Sequence, residues 1–215
     1  MRLLTALDPA TRQSYARLVG EAAASIERSL SPSVAANRLD LEQPPAGELR
    51  LRPWRLERRE FARGLARLVG GDASLAVADV RRCFPSISPQ VVAHTLSRME
   101  ITAAGEIEDL LLELESAGVR GLPIGPDASA VLANAVLSHA DRALEAERIS
   151  FLRWVDDVVM RVEGPRGARV ALDVLRSVWG ELGLRPNEQK TRVVEGTRAR
   201  ALLAPSGAEA AARVG

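Results

Sequence analysis

Three carboxylates stand where apolar runs end. Asp79 follows the run 74–78, and Asp156 and Asp157 separate two further runs, 149–155 and 158–162. A short continuous apolar run reads as a buried strand. Two runs split only by Asp-Asp read as a hairpin with both carboxylates at its tip. If these strands are neighbours in one sheet, the three acids converge. Crowded carboxylates repel one another and carry raised pKa values unless a cation lies between them. Hard oxygen donors select Mg²⁺ or Mn²⁺. Two such ions, about 3.5–4 Å apart, are the usual clamp for an in-line phosphoryl displacement. Aspartate is also common at turns for its own sake, so neither the pair nor Asp79 establishes this chemistry alone.

The elements that must position these acids are legible in the pattern. Asp8 before Pro9 opens a helix, continued by Tyr15, Leu18, Val19, Ala22, Ile26 and Leu30 at helical spacing and ended by Ser31-Pro32-Ser33. Residues 41–47 read as a loop, and Leu49-Arg50-Leu51-Arg52 alternates as a short strand stopped by Pro53. A second helix carries Trp54, Phe61, Leu65 and Leu68 and ends at Gly70-Gly71. After the strand at 74–78, helices are predicted near 89–99 and 103–117, then a Gly/Pro-rich loop at 121–126 and a long helix over about 127–147. The Asp-Asp hairpin, a helix near 167–182 stopped by Gly183, and a last strand at 190–195 complete the pattern. The Ala/Gly-rich end, 204–215, is expected to be poorly ordered. Trp54 and Trp179 fit core positions, and His94 and His139 have no metal-ligand spacing around them.

Composition narrows the class. A chain of 215 residues with 47% hydrophobic and 27% charged residues is one soluble globular domain with a sizeable core. It is neither a disordered tail nor a disulfide mini-protein. The single cysteine, Cys83, cannot bridge within the chain. No run approaches the roughly 20 apolar residues of a membrane span, and Met1-Arg2-Leu3-Leu4 leads into a polar helix signal, so a cytoplasmic, membrane-free protein is expected. A net charge of +1 means any nucleic-acid contact must come from a local patch. Seven Arg against three Glu lie between Glu48 and Arg67, with Arg50 and Arg52 as candidate triphosphate or template contacts. Lys190 is the one Lys among 29 basic residues.

Four segments, in order, resemble the palm motifs of reverse transcriptases, over roughly residues 74–195. Asp79-Val80-Arg81-Arg82-Cys83-Phe84-Pro85-Ser86-Ile87 resembles the first. Gly121-Leu122-Pro123-Ile124-Gly125-Pro126, with Ser129 and Asn134 beyond it, resembles the second. Arg153-Trp154-Val155-Asp156-Asp157 resembles the third, with Trp154 where tyrosine is usual. Gly183-Leu184-Arg185-Pro186-Asn187 with Lys190-Thr191 resembles the fourth. The resemblance implies an α+β palm: a small antiparallel sheet backed by helices, with reduced fingers and an absent or vestigial thumb. The implied division is 1–72 as an N-terminal helical or fingers region, 73–195 as palm and 196–215 as a short tail.

The same resemblance implies roles. Asp79 and Asp156 would be the principal ligands of two Mg²⁺ or Mn²⁺ ions, supported by Asp157 and the Val80 carbonyl. Phe84 would gate the sugar of an incoming deoxynucleotide. Residues Gly121, Leu122, Pro123, Ile124 and Gly125 would shape the nucleotide pocket, with Ser129 and Asn134 as polar anchors behind it. Lys190 would assist the leaving group. The implied partners are an RNA template, a DNA or RNA primer, deoxynucleoside triphosphates and a protein that supplies a thumb. Ile124, where many members have glutamine, leans toward bacterial relatives of the phage-defence and diversity-generating kinds. The alternative from another class is a catalytically inactive palm that only binds. A phosphoacceptor receiver is discarded, because there the acidic pair precedes the single Asp.

Overall fold

The apolar runs that end in acids pair with one another. In the computed structural model, which describes residues 4–41, 49–70 and 73–194, β1 (Ser74–Asp79) lies antiparallel to β3 (Asp157–Val162), in a register that sets Asp79 directly opposite Asp157. β2 (Phe151–Trp154) pairs with β3 as a hairpin, β4 (Arg192–Val194) pairs with the other edge of β1, and the sheet order is β2-β3-β1-β4. Residues opposite each other in an antiparallel pair share a face, so Asp79 and Asp157 project from the same side.

Strand alternation divides the two faces. Ala76, Ala78, Val158 and Met160 join the main core, which holds α6 (Asp127–Ala146) and α7 (Gly164–Glu181). The small residues at 76 and 78 let those helices approach the sheet. On α7, Ala168, Ala171, Leu175 and Trp179 recur at three- and four-residue steps and are buried as one stripe. The opposite face gives Leu75 and Val159 to a second, smaller cluster, closed by Leu65 and Val69 at the end of α2 (Trp54–Leu68). Arg161 donates to the carbonyls of Leu68 and Gly70 and so ties the end of α2 to this face.

The first helix starts where its Asp8-Pro9 signal predicts, and a later one starts at a serine cap. Asp8 accepts from the Thr11 N–H at 3.0 Å to open α1 (Pro9–Ser29), and Ser88 accepts from Val91 N–H to open α4 (Pro89–Arg98). α5 is Ala104–Ser116. α1 packs on α6, so the N-terminal region shares the main core with the sheet domain. A buried ionic knot holds the chain between them. Glu27 accepts from Arg38 Nε at 2.6 Å and from Leu39 N–H, and Glu57 accepts the N–H groups of Asn37 and Arg38. Burial raises the Glu57 pKa.

Three expectations need correction. Trp54 is 65% exposed, because the first turn of α2 runs past the cluster that its later turns cover. The stretch 49–52 is no strand of the sheet. Only Leu51 pairs, with Leu39, through a two-bond ladder between residues 38–40 and 50–52. The last strand starts at Arg192, because Lys190 and Thr191 are turned back by N–H bonds to the Asn187 carbonyl. The expected loop at 42–47 and the tail at 204–215 lie outside the described residues. No helix among the described residues is long and apolar enough to cross a membrane.

Candidate active site

β1 delivers Asp79, and the β2–β3 turn delivers Asp156 and Asp157. The two residues between the strands, Val155 and Asp156, make a tight turn with Val155 at φ +55°. A branched residue in this left-handed region is a rare and strained conformation. Oxygens of the three carboxylates all lie within 4.8 Å of one another, with Asp79 and Asp156 buried. Burial, and then the charges of Asp156 and Asp79, push the Asp157 pKa up to about 6.

The fourth-motif segment reaches this cluster through the backbone. β1 continues past its last residue, where Val80 bridges to Pro186, the Arg81 N–H donates to the Arg185 carbonyl and the Asn187 N–H to the Asp79 carbonyl. That pairing delivers two side chains to one carboxylate. Asn187 Nδ2 donates to Asp79 Oδ1 at 2.8 Å, and Lys190 Nζ to Asp79 Oδ2 at 2.6 Å. The bond to Asp79 raises the Lys190 pKa, so the ammonium is fully protonated at neutral pH.

A cleft of about 700 Å³ opens over the acids, within the usual range for a small-molecule site. Asp79, Val80, Asp156 and Lys190 line its floor, and Phe84, Ile124 and Gly125 line its wall. Asp157 belongs to the cluster but not to this lining. Phe84 sits on α3 (Cys83–Ser86), a single turn that the sequence pattern does not announce. Gly121, Leu122 and Pro123 do not line the cleft. They are buried behind it and support α3, with Leu122 N–H donating to the Phe84 carbonyl at 2.9 Å. Gly121 sits at φ +59°, and a Cβ there would lie 2.7 Å from the carbonyl oxygens of both Phe84 and Ile87. Only glycine allows that approach.

Ser129 and Asn134 are buried polar groups on α6. Ser129 shares a hydrogen bond with Tyr15, and Asn134 donates to the carbonyls of Ala36 and Asn37. Arg50 and Arg52 do not line the cleft. Arg50 lies 3.9 Å from Asp40, Arg52 lies 2.8 Å from Glu60, and the residue between them, Leu51, faces inward instead. The cation the pattern did not single out is Arg82, in left-handed geometry at φ +52°. Among the described residues, Arg82 and Lys190 are the two cationic side chains that line the cleft. Asn37, Leu51 and Asp141 were also unmarked by any motif, and Arg153 stood in the third motif segment without a role of its own.

The donor set fits a divalent ion: three hard carboxylates crowded enough that one is forced toward protonation. The sign of the resulting pH dependence follows. Asp157 binds its proton more tightly folded than unfolded, so this group's contribution to stability falls as pH rises from about 4 toward 6 and stays lost above. At pH 7 the metal-free protein is therefore expected to melt higher as Asp157→Asn than as wild type, and Mn²⁺ is expected to narrow that gap by stabilising wild type. Thermal melts at pH 4 and pH 7 check both. An Asp157→Asn protein that melts below wild type at pH 7 without metal would refute the crowding.

Acids gathered at one end of a helix-backed antiparallel sheet, beside a cleft of this size, make an α+β domain with a carboxylate cluster that could hold a metal ion. The family model for reverse transcriptase (RNA-dependent DNA polymerase) matches residues 34–204, and the chain belongs to that family. A structure of telomerase from Candida albicans, in complex with a TWJ fragment of telomeric RNA, is similar at 11% identity and a TM-score of 0.49, over 86% of this chain. The chain spans 34% of the length of that telomerase chain. No curated protein sequence matches.

Proposed function

We infer that this chain carries the polymerase site of an RNA-templated DNA polymerase, which joins deoxynucleotides to a primer 3′-hydroxyl. The observation that carries this reading is the meeting of Asp79, Asp156 and Asp157, one oxygen of each within 4.8 Å of the others, where Asp79 and Asp156 line a cleft that Phe84 also lines. Residues 73–195 are the palm in this reading, and 1–72 the fingers region. Asp79 and Asp156, with Asp157 and the Val80 carbonyl, would hold two Mg²⁺ or Mn²⁺ ions. Such ions acidify an attacking hydroxyl and offset the charge of a triphosphate. The remaining work belongs to the chain's own residues. Phe84 stands where a 2′-hydroxyl would be refused. Arg82 presents a guanidinium to the triphosphate, the role first expected of Arg50 and Arg52. Ile124 closes the wall with an apolar surface, which supports a kinship with the phage-defence kind.

A labelled primer annealed to an RNA template is expected to lengthen with deoxynucleotides and Mg²⁺ or Mn²⁺, and to stop lengthening when the metal is chelated. The second reading, a palm that binds without catalysis, is favoured by one observation: the Lys190 ammonium already neutralises Asp79. A protein that retains RNA yet never extends a primer with either ion would establish that reading instead.

Sugar choice gives a sharper test. Phe84 is half-buried, with its ring against the core and its other side toward the cleft. Phe84→Ala is expected to reduce discrimination against ribonucleotides by roughly 10²-fold, the scale on which one misfitting group is refused by a pocket. The measured quantity is the ratio of kcat/KM for paired deoxy- and ribonucleotides. This ratio is insensitive to partial loss of folded enzyme. An unchanged ratio would make Phe84 a packing residue only.

A further inference from the structure

Beneath the acidic turn lies a buried ionic unit that the polymerase reading does not use. Arg153 and Asp141 are each 1% exposed. The guanidinium makes a forked contact with Asp141, at 2.8 and 3.1 Å from Nε and 2.7 Å from Nη2. Its remaining nitrogen, Nη1, donates to Asn134 Oδ1 at 2.9 Å and to the Val155 carbonyl at 2.8 Å. Asn134 in turn donates from Nδ2 to the carbonyls of Ala36 and Asn37, at 3.0 and 3.1 Å.

What this unit holds is unusual. Asn37 and Val155 are both non-glycine residues at φ +55°, and both line the cleft. Asparagine tolerates that region, but a branched residue such as Val155 does not persist there unless its surroundings over-determine it. Here the carbonyl of each is fixed by one connected set of donors: Val155 by Arg153, and Asn37 by Asn134, which Arg153 orients. The backbone of Arg153 makes the same connection, bonding to Ser33 and Ala35 across a bridge to Val34. Stability is a poor explanation for such a unit. A buried ion pair is often matched or exceeded in stability by apolar residues of similar size, whereas its fixed directions specify geometry.

We propose that Asp141, Arg153 and Asn134 form a positioning unit for the metal site. It holds the strained Val155 turn so that Asp156 faces Asp79, and locks that turn to the Asn37 segment, which also lines the cleft. These are positioning residues and touch no reacting atom. The proposal rests on reading the three carboxylates as the metal site. Groups that orient a metal's ligands typically govern affinity or activity by about 10–100-fold when removed.

The test uses the full chain and three readouts: thermal melting, Mn²⁺ binding followed by electron paramagnetic resonance without nucleic acid, and kcat and KM for a deoxynucleotide. The Arg153→Met/Asp141→Leu double variant removes both charges together. It is expected to fold but to melt below wild type, because Asn134 Oδ1 and the Val155 carbonyl lose their donor, and to lose at least about tenfold in Mn²⁺ affinity, with kcat falling more than KM rises. A folded double variant with wild-type Mn²⁺ affinity and kcat overturns the proposal. If the double variant does not fold, Arg153→Lys carries the test. It keeps the charge beside Asp141, but its single nitrogen cannot span Asp141, Asn134 and the Val155 carbonyl, so the same loss of Mn²⁺ affinity is expected. Wild-type affinity in that variant overturns the proposal. A wild-type protein that binds no Mn²⁺ overturns the metal-site reading itself, and this inference with it.

Discussion

Asp156→Ala is expected to reduce primer extension by at least roughly 10³-fold, the scale of losing several kcal/mol of transition-state charge stabilisation at about 1.4 kcal/mol per decade. The fold should survive, and the metal-free variant should melt no lower than wild type. Asp156 is 8% exposed, and its charge helps raise the Asp157 pKa, so removing it relieves repulsion at the turn. Asp79→Ala should lose as much activity but behave differently in melting. Asp79 accepts from both Asn187 and Lys190, and its removal strands those two donors where the fourth-motif segment joins β1. Single-turnover extension of both variants with Mg²⁺ or Mn²⁺, and their melting without metal, separate the roles. Equal extension by Asp156→Ala and wild type would sink the assignment. A large drop in melting temperature for Asp156→Ala alone would show that this carboxylate is structural.

The acids were legible because strands and turns write themselves locally. An apolar run that halts at an acid needs no knowledge of the rest of the chain, and the β1–β3 register then sets Asp79 against Asp157. The cap at Asp8 was legible for the same reason. What stayed hidden depends on partners distant in sequence. Arg153 sits in an apolar run and Asp141 on an apolar helix, and nothing in either neighbourhood says that each neutralises the other. Arg50 and Arg52 were chosen for local charge density, which carries no direction. Strand-like alternation aimed Leu51 into the cleft and left the two arginines beside Asp40 and Glu60. Trp54 was assigned to the core as the first apolar residue of the second helix, yet a residue in a helix's first turn is buried only if something lies beyond that end. The glycine-rich loop was read for its pocket, and its backbone has another demand. Its left-handed Gly121 is required by the carbonyls of Phe84 and Ile87, partners no local pattern announces.

Lys190→Arg is expected to slow the chemical step by roughly 10²–10⁴-fold, the range typical of general acid catalysis. Lys190→Leu should slow it at least as much. Departing pyrophosphate develops negative charge and gains from a proton. A lysine can deliver one, whereas arginine effectively cannot. Lys190 is placed for either of two roles, because its side chain lines the cleft, is 49% exposed, and holds Asp79 from the fourth-motif turn. As a structural counter-ion it would only neutralise the crowded acids. Arginine would then serve nearly as well, since a guanidinium also bonds a carboxylate strongly. As a proton donor it must leave Asp79 and reach the leaving group, which half-exposure of the chain permits. The pH profile discriminates further. The bond to Asp79 raises the Lys190 pKa, so the donor stays protonated through neutral pH and rates should fall only on the alkaline side. Arginine would lose the rate and that alkaline limb together. Single-turnover incorporation by both variants, followed from neutral to alkaline pH, reads the two roles apart. An arginine variant as fast as wild type, with the leucine variant slow, would leave Lys190 as charge alone.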